Sequence, residues 1–167
     1  FHDLILPTPD STRTEFLIDM LAFQGACVLV TGATGSGKST CIRQHEKSLN
    51  PEDHVSAHLA MCGTTLPGRF IQSFESVTEK RQGRTYAPPG GKKCLFVIED
   101  VSKPTTDAFG DNMCFEFLRQ LLVDGGYYSQ MNPDFNTLLN MQYICEMAEP
   151  SVARKDLPMR LKGRMMS

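Results

Sequence analysis

Leu29-Val-Thr-Gly-Ala-Thr-Gly-Ser-Gly-Lys-Ser-Thr40 decides the fold. Gly32, Gly37, Lys38 and Ser39 fit the pattern G-x-x-x-x-G-K-[ST], with a further glycine at position 35. The flanks agree with it: Cys27 to Val30 reads as a buried strand, and Ser39 to Leu49 as a helix. Glycines permit backbone angles closed to other residues, so successive N–H groups can turn inward as an anion-binding nest, and the following helix N-terminus adds partial positive charge. Phosphate is the guest this arrangement implies. Lys38 then reaches the β- and γ-phosphates of a triphosphate, and the Ser39 hydroxyl becomes a ligand for Mg²⁺, a cation that prefers oxygen. The loop's candidate nucleotide contacts are Gly32, Ala33, Thr34, Gly35, Ser36, Gly37, Lys38, Ser39 and Thr40.

Working outward, apolar strands alternate with helical patterns, and no internal repeat or low-complexity segment interrupts them. The alternation predicts a parallel sheet with helices on both faces. Before the loop, Thr12 and Glu15 have capping-box spacing, and Phe16, Leu17, Met20 and Leu21 form an apolar stripe for a first helix packed on the sheet. After it, a helix over 38–49 ends at Asn50-Pro51, and 54–61 reads as a second strand. Thr64-Thr65 predicts the cap of a helix running to Arg81, and 83–93, rich in Gly and Pro, predicts a hairpin or exposed loop. A fourth strand is expected within 136–147.

The second chemical landmark is Cys94-Leu-Phe-Val-Ile-Glu-Asp-Val-Ser-Lys-Pro104, an apolar run ending in two acids. A central strand delivers such carboxylates at its C-terminal edge, where ligands of doubly wound sheets bind. The usual order is aspartate for the Mg²⁺ shell, then glutamate to orient the attacking water. Here Glu99 precedes Asp100, which lengthens the metal-side reach by a methylene and shortens the water-side reach. A displacement of about 1 Å costs up to roughly 100-fold in rate, so binding should survive this exchange better than hydrolysis.

Size and charge bound the rest. The chain has 167 residues, 41% of them hydrophobic, enough for the core of one α/β domain. A formal net charge of −2 argues against broad electrostatic attraction to nucleic acid or anionic membrane, and no apolar run approaches a bilayer span. The cysteines show no C-x-x-C spacing, and Cys27, Cys94 and Cys145 lie in apolar runs, as reduced core thiols of a cytosolic protein do. His54 and His58 share a strand face without an evident third ligand for a metal. The first residue is Phe rather than Met, so the chain reads as a segment of something longer.

Four segments together resemble a known family: residues 5–13 (ILPTPDSTR), 32–39 (GATGSGKS), 79–104 and 107–128. The Pro88-Pro89-Gly90-Gly91-Lys92-Lys93 turn into the acidic strand, Pro104 four residues after the second acid, and Phe117-Leu-Arg-Gln-Leu-Leu122 before Gly125-Gly-Tyr-Tyr128 are more specific than the loop. They look like the large ATPase subdomain of a dynein heavy chain, most similar to its third AAA+ module and to the axonemal type. The resemblance spans nearly the whole chain. It implies a single P-loop NTPase (AAA+) large α/β subdomain over 1–167, with parallel sheet, helices on both faces and no helical lid.

Carried over residue by residue, the resemblance assigns Ile5 to Thr8, Pro7 and Thr8 included, to the backbone stretch along the adenine. It gives ATP or ADP with Mg²⁺ as cofactors, Ser39 and Glu99 as metal ligands, and Glu99 and Asp100 as the catalytic acids. Arg160 matches an arginine that faces the neighbouring module's nucleotide, with Arg154 and Arg164 as alternatives; Arg119 reads as a structural ion-pair partner. The family's glycine-rich turn before that region is replaced by Ala148 to Asp156, and the polar sensor of the fourth strand is left open, Glu146 being one candidate. The implied function is an ATP-binding module of a microtubule motor, its nucleotide state coupled to adjacent modules of the same heavy chain, with slow hydrolysis. A nucleotide-binding module without turnover is the alternative, and a small-molecule kinase a more distant one. The implied setting is cytoplasm and cytoskeleton, in a ciliary or flagellar axoneme, with microtubule contact only through the parent motor and no nucleic-acid or membrane partner.

Overall fold

The computed structural model describes residues 6–109, 112–129, 134–150 and 156–166. Its elements in chain order begin with α1 (Pro9–Phe23), β1 (Val28–Gly32), α2 (Lys38–Ser48), β2 (His54–Ala60) and α3 (Pro67–Val77). Short strands β3 (Glu79–Lys80) and β4 (Thr85–Ala87) and a 3₁₀ turn (Pro89–Gly91) lead into β5 (Lys93–Glu99). The chain continues through α4 (Met113–Asp124), β6 (Gly126–Tyr128), β7 (Phe135–Leu138), β8 (Met141–Ala148) and α5 (Met159–Lys162).

β1, β8, β5 and β2 form one four-stranded sheet in that order, all neighbours parallel. Parallel strands need crossovers, and α helices supply them on both faces. Alternate residues of each strand point to opposite sides. Val28, Val30, Leu95, Val97 and Ile144 pack with Ile18 of α1 and Cys41 and Ile42 of α2. Leu29, Phe96, Ile98, Cys145 and Met147 pack with Phe70 and Phe74 of α3, Leu118 and Leu121 of α4, and Leu161 of α5. This is the α/β P-loop architecture the sequence predicts. β3, β4, β7 and β6 make a second small sheet that the sequence reading does not anticipate.

Several local expectations are corrected. The cap of α1 is Thr8, not Thr12: Thr8 and Ser11 form the capping box, and Pro9 occupies the first turn, where its missing N–H costs nothing. The predicted stripe does not face the sheet as a unit. Ile18 is 2% exposed, whereas Phe16 is 61% and Leu17 56% exposed. α3 is shorter at both ends than predicted, because Pro67 starts it after Leu66 and Thr78, extended, ends it. Thr65 instead closes a turn, its hydroxyl accepting from the Cys62 N–H at 2.8 Å. The 83–93 segment is a hairpin arm as expected, with β4 antiparallel to β3. The expected fourth strand is split by Asn140, at φ 57°, into β7 and β8.

Cys27, Cys94 and Cys145 are free and buried, and burial pushes the Cys94 thiol up to about 12. No described helix is long and apolar enough to cross a membrane.

Candidate nucleotide-binding site

The loop between β1 and α2 lies at the C-terminal edge of the parallel sheet. Gly37 is the α2 N-cap in left-handed backbone (φ 85°, ψ 10°), a conformation that L side chains disfavour, and no side chain caps the helix. A Cβ on Gly32 would meet the Ser36 Oγ at 2.9 Å, so a larger residue there would require that side chain to turn aside. The N–H groups of Lys38, Ser39 and Thr40 find no acceptor among the described residues. Orphan first-turn amides together with the helix dipole make an anion site. Lys38 folds across the loop, its Nζ donating to the Ala33 carbonyl at 2.8 Å. That single neutral bond leaves the ammonium able to exchange a carbonyl for a phosphate oxygen.

The loop serine has an acidic partner. Ser39 Oγ donates to the Glu146 carboxylate, at 2.9 Å from Oε1 and 2.8 Å from Oε2. Glu146 lies on β8, beside Val30 of β1 in register, so its side chain leaves the sheet on the α2 face. The sequence offered Glu146 only as one candidate sensor. Its contact with Ser39 depends on β8 being inserted between β1 and β5, a strand order that residue spacing does not specify.

Glu99 and Asp100 diverge. Glu99 ends β5 on the α2 face, where the His58 Nδ1 approaches it at 3.6 Å and the His58 Nε2 lies 3.1 Å from Glu46 of α2. Desolvation acts to raise the Glu46 carboxyl, but hydrogen bonds from Ser56 and His58 and the charges of His58 and Arg43 outweigh it and hold Glu46 below its ordinary value. Asp100 lies just past the strand in left-handed backbone, φ 56°, and pairs with Lys103 at 2.6 Å. Among the described residues, the acid against Ser39 is therefore Glu146, with Glu99 on the same sheet face and Asp100 turned into its own loop. A cleft of about 670 Å³ between α2 and β2 is lined by Glu46, His54, His58 and Glu99; it meets the site only through Glu99.

The remaining sequence candidates are spread out. Pro7 is exposed, and Thr8 is engaged in capping α1; Ile5 and Arg154 lie outside the described residues. Arg160 is 71% exposed at its side chain and lies 3.5 Å from Glu116, in the first turn of α4. Arg164 lines a cleft with Asn140 and Met141, at the start of β8 and so at the sheet edge opposite the phosphate loop. Arg119 pairs with Glu116 at 2.8 Å, as the sequence reading has it.

Oxygen donors suit Mg²⁺, and the hydroxyl of Ser39 with the carboxylates of Glu146 and Glu99 are donors of that chemistry on one face of the sheet. The residues present thus fit a nucleotide with its cation.

Fold and loop define a P-loop nucleotide-binding module. The family model for the P-loop containing dynein motor region matches residues 1–167, and the chain belongs to that family. It is 37% identical over 163 residues to the mouse dynein axonemal heavy chain 8, covering 97% of this chain and 3% of that protein. It is 34% identical over 164 residues to the gamma chain of the flagellar outer arm dynein of Chlamydomonas reinhardtii, covering 97% of this chain and 4% of the relative. The chain thus spans only a few hundredths of the length of such relatives. Crystal structures of NtrX from Brucella abortus, in complexes with ATP and with ADP, share the fold with TM-scores of 0.62. They are 14% and 13% identical, and the match covers 97% of this chain and 35% of theirs.

Proposed function

We propose that this chain is an ATP-binding module of a dynein-like motor, most similar to a third AAA+ module, which reports its nucleotide state to adjacent modules of one heavy chain. The observation that carries this reading is the uncapped start of α2, where the N–H groups of Lys38, Ser39 and Thr40, behind a left-handed Gly37, find no acceptor among the described residues. Such a cradle suits an anionic ligand. Lys38 would bind the terminal phosphates, and Ser39 with Glu99 would hold Mg²⁺, which supplies charge neutralisation of the phosphates when bound. Glu99 and Asp100 are the candidate acids for hydrolysis, and exposed Arg160 is the candidate for reaching a neighbour's nucleotide. Microtubule attachment and an axonemal setting belong to the parent motor, in line with the axonemal relatives.

A second reading, binding without turnover, has its own support. Asp100 is tied to Lys103, and Glu99 faces His58. Asp100 cannot orient a water until its contact with Lys103 breaks.

Titration with ATP and ADP, with and without Mg²⁺, tests the proposal. Wild type is expected to bind at least about tenfold more tightly than Lys38→Ala, since losing a hydrogen bond to a charged group costs about 1.5–3 kcal/mol. Equal affinity of the two proteins would reject it. Single-turnover ATP cleavage in the parent heavy chain then separates the two readings: a rate no higher than that of Lys38→Ala leaves a module that only binds.

A further inference from the structure

We propose that Glu146 is a positioning residue for the divalent cation: it holds the Ser39 hydroxyl proton away from the cation position and makes nucleotide affinity depend on the cation. The inference rests on the nucleotide reading above and assigns a role that the phosphate-loop pattern does not contain. A serine hydroxyl has one proton and two lone pairs. With the proton donated to Glu146 at 2.8–2.9 Å, the lone pairs are left for a metal ion and the hydroxyl cannot rotate to oppose it.

Glu146 is well placed to do this rigidly. Its backbone belongs to β8, between β1 and β5, and its carbonyl accepts from the Val101 N–H at 3.0 Å. Cys145 and Met147 on either side of it are 0% and 1% exposed, so the main chain here has no freedom to drift. Glu99, the acid that the sequence pattern would have chosen, lies 3.6 Å from the His58 Nδ1 rather than against Ser39.

The charge has a separate consequence. A carboxylate beside the first turn of α2 opposes the charge of a bound polyphosphate when no cation lies between them, and attracts the cation when one does. Wild type should therefore bind nucleotide poorly in chelator and much better in Mg²⁺. Removing the charge should shrink that difference from both ends, which loss of packing would not do.

The test is fluorescent ADP binding to wild type, Glu146→Gln and Glu146→Asp, in EDTA and in saturating Mg²⁺, with Mn²⁺ affinity of the ADP-bound protein read by electron paramagnetic resonance. Glu146→Gln is expected to bind ADP severalfold more tightly in EDTA and no more tightly in Mg²⁺. Its ratio of the two constants should fall roughly tenfold, about 1.4 kcal/mol. Mn²⁺ affinity should drop about tenfold, and Glu146→Asp should recover part of it. In a Ser39→Ala background the amide should have less effect on Mn²⁺, because the hydroxyl it orients is gone. An unchanged ratio, or equal loss of affinity in both buffers, overturns the role of Glu146 while leaving nucleotide binding standing. Wild type that binds ADP in neither buffer overturns the nucleotide reading, and this inference with it.

Discussion

Asp100 leaves the end of β5 in left-handed backbone and pairs with Lys103 in its own loop. Its acidity and its place after an apolar run were legible; its φ of 56° was not, because that angle follows from how the chain leaves β5. Left-handed backbone costs an ordinary L residue about 1–2 kcal/mol, and Asp and Asn tolerate it better than longer side chains. The reversed order of the acids thus puts the residue better suited to this backbone at the position that needs it. Asp100→Glu should lower stability by about 0.5–1 kcal/mol, and Asp100→Asn should be within about 0.5 kcal/mol of wild type. The Lys103 pair contributes little to either, since both partners are substantially exposed, at 49% and 41%. Urea denaturation of the variants decides it: an Asn variant as destabilised as the Glu variant would show that the ion pair, not the backbone, governs the site.

Among the elements, those with a strong local signal were legible. α2 begins at Lys38, where the loop motif predicts it; α4 has Asn112 at its N-cap and left-handed Gly125 at its end, signals that the sequence reading did not use. The second sheet was not legible: β6 is Gly126–Tyr128 and β3 is Glu79–Lys80, too short for an alternating pattern. Their pairing is set by tertiary partners, as when β7 lies antiparallel to β6 and parallel to β4. Nor could periodicity show that α1 rests on the sheet through Ile18 while Phe16 and Leu17 stay exposed. α3 and α4 allow the two kinds of signal to be weighed. Phe74 of α3 is fully buried, with ring centroids 4.6 Å from Phe96 and 6.1 Å from Tyr127. Phe74→Ala should cost about 3–5 kcal/mol by opening a cavity against β5. Asn112→Ala removes the side-chain acceptor for the Cys114 N–H, bonded at 2.7 Å, and should cost about 1 kcal/mol. Denaturant midpoints of the two variants check the ordering; a larger loss from Asn112→Ala would mean that local capping rather than packing holds this face.

Across the molecule, the phosphate loop and the larger hydrophobic cluster lie on connected but opposite structures. α2 packs on one face of the sheet, while α3, α4 and α5 cover the other. β8 joins them, since Ile144 belongs to the α2 side, and Cys145 and Met147 to the α3 and α4 side. A ligand held by the first turn of α2 therefore stabilises an element whose sheet partners are shared with the rest of the fold, and the module should unfold as one unit. At a concentration of ADP about 100 times its dissociation constant, binding to the folded state alone adds about 2.7 kcal/mol. For a chain of this size that raises the thermal midpoint by roughly 5–10 °C. Thermal unfolding followed by circular dichroism with Mg²⁺ and increasing ADP should show one transition moving upward together. Lys38→Ala should shift far less at the same ADP concentration. Two transitions, of which only the earlier moved with ADP, would instead mean that the α2 face melts independently of the α3 and α4 face, so that nucleotide bound at Gly37 to Thr40 could not be felt across β8.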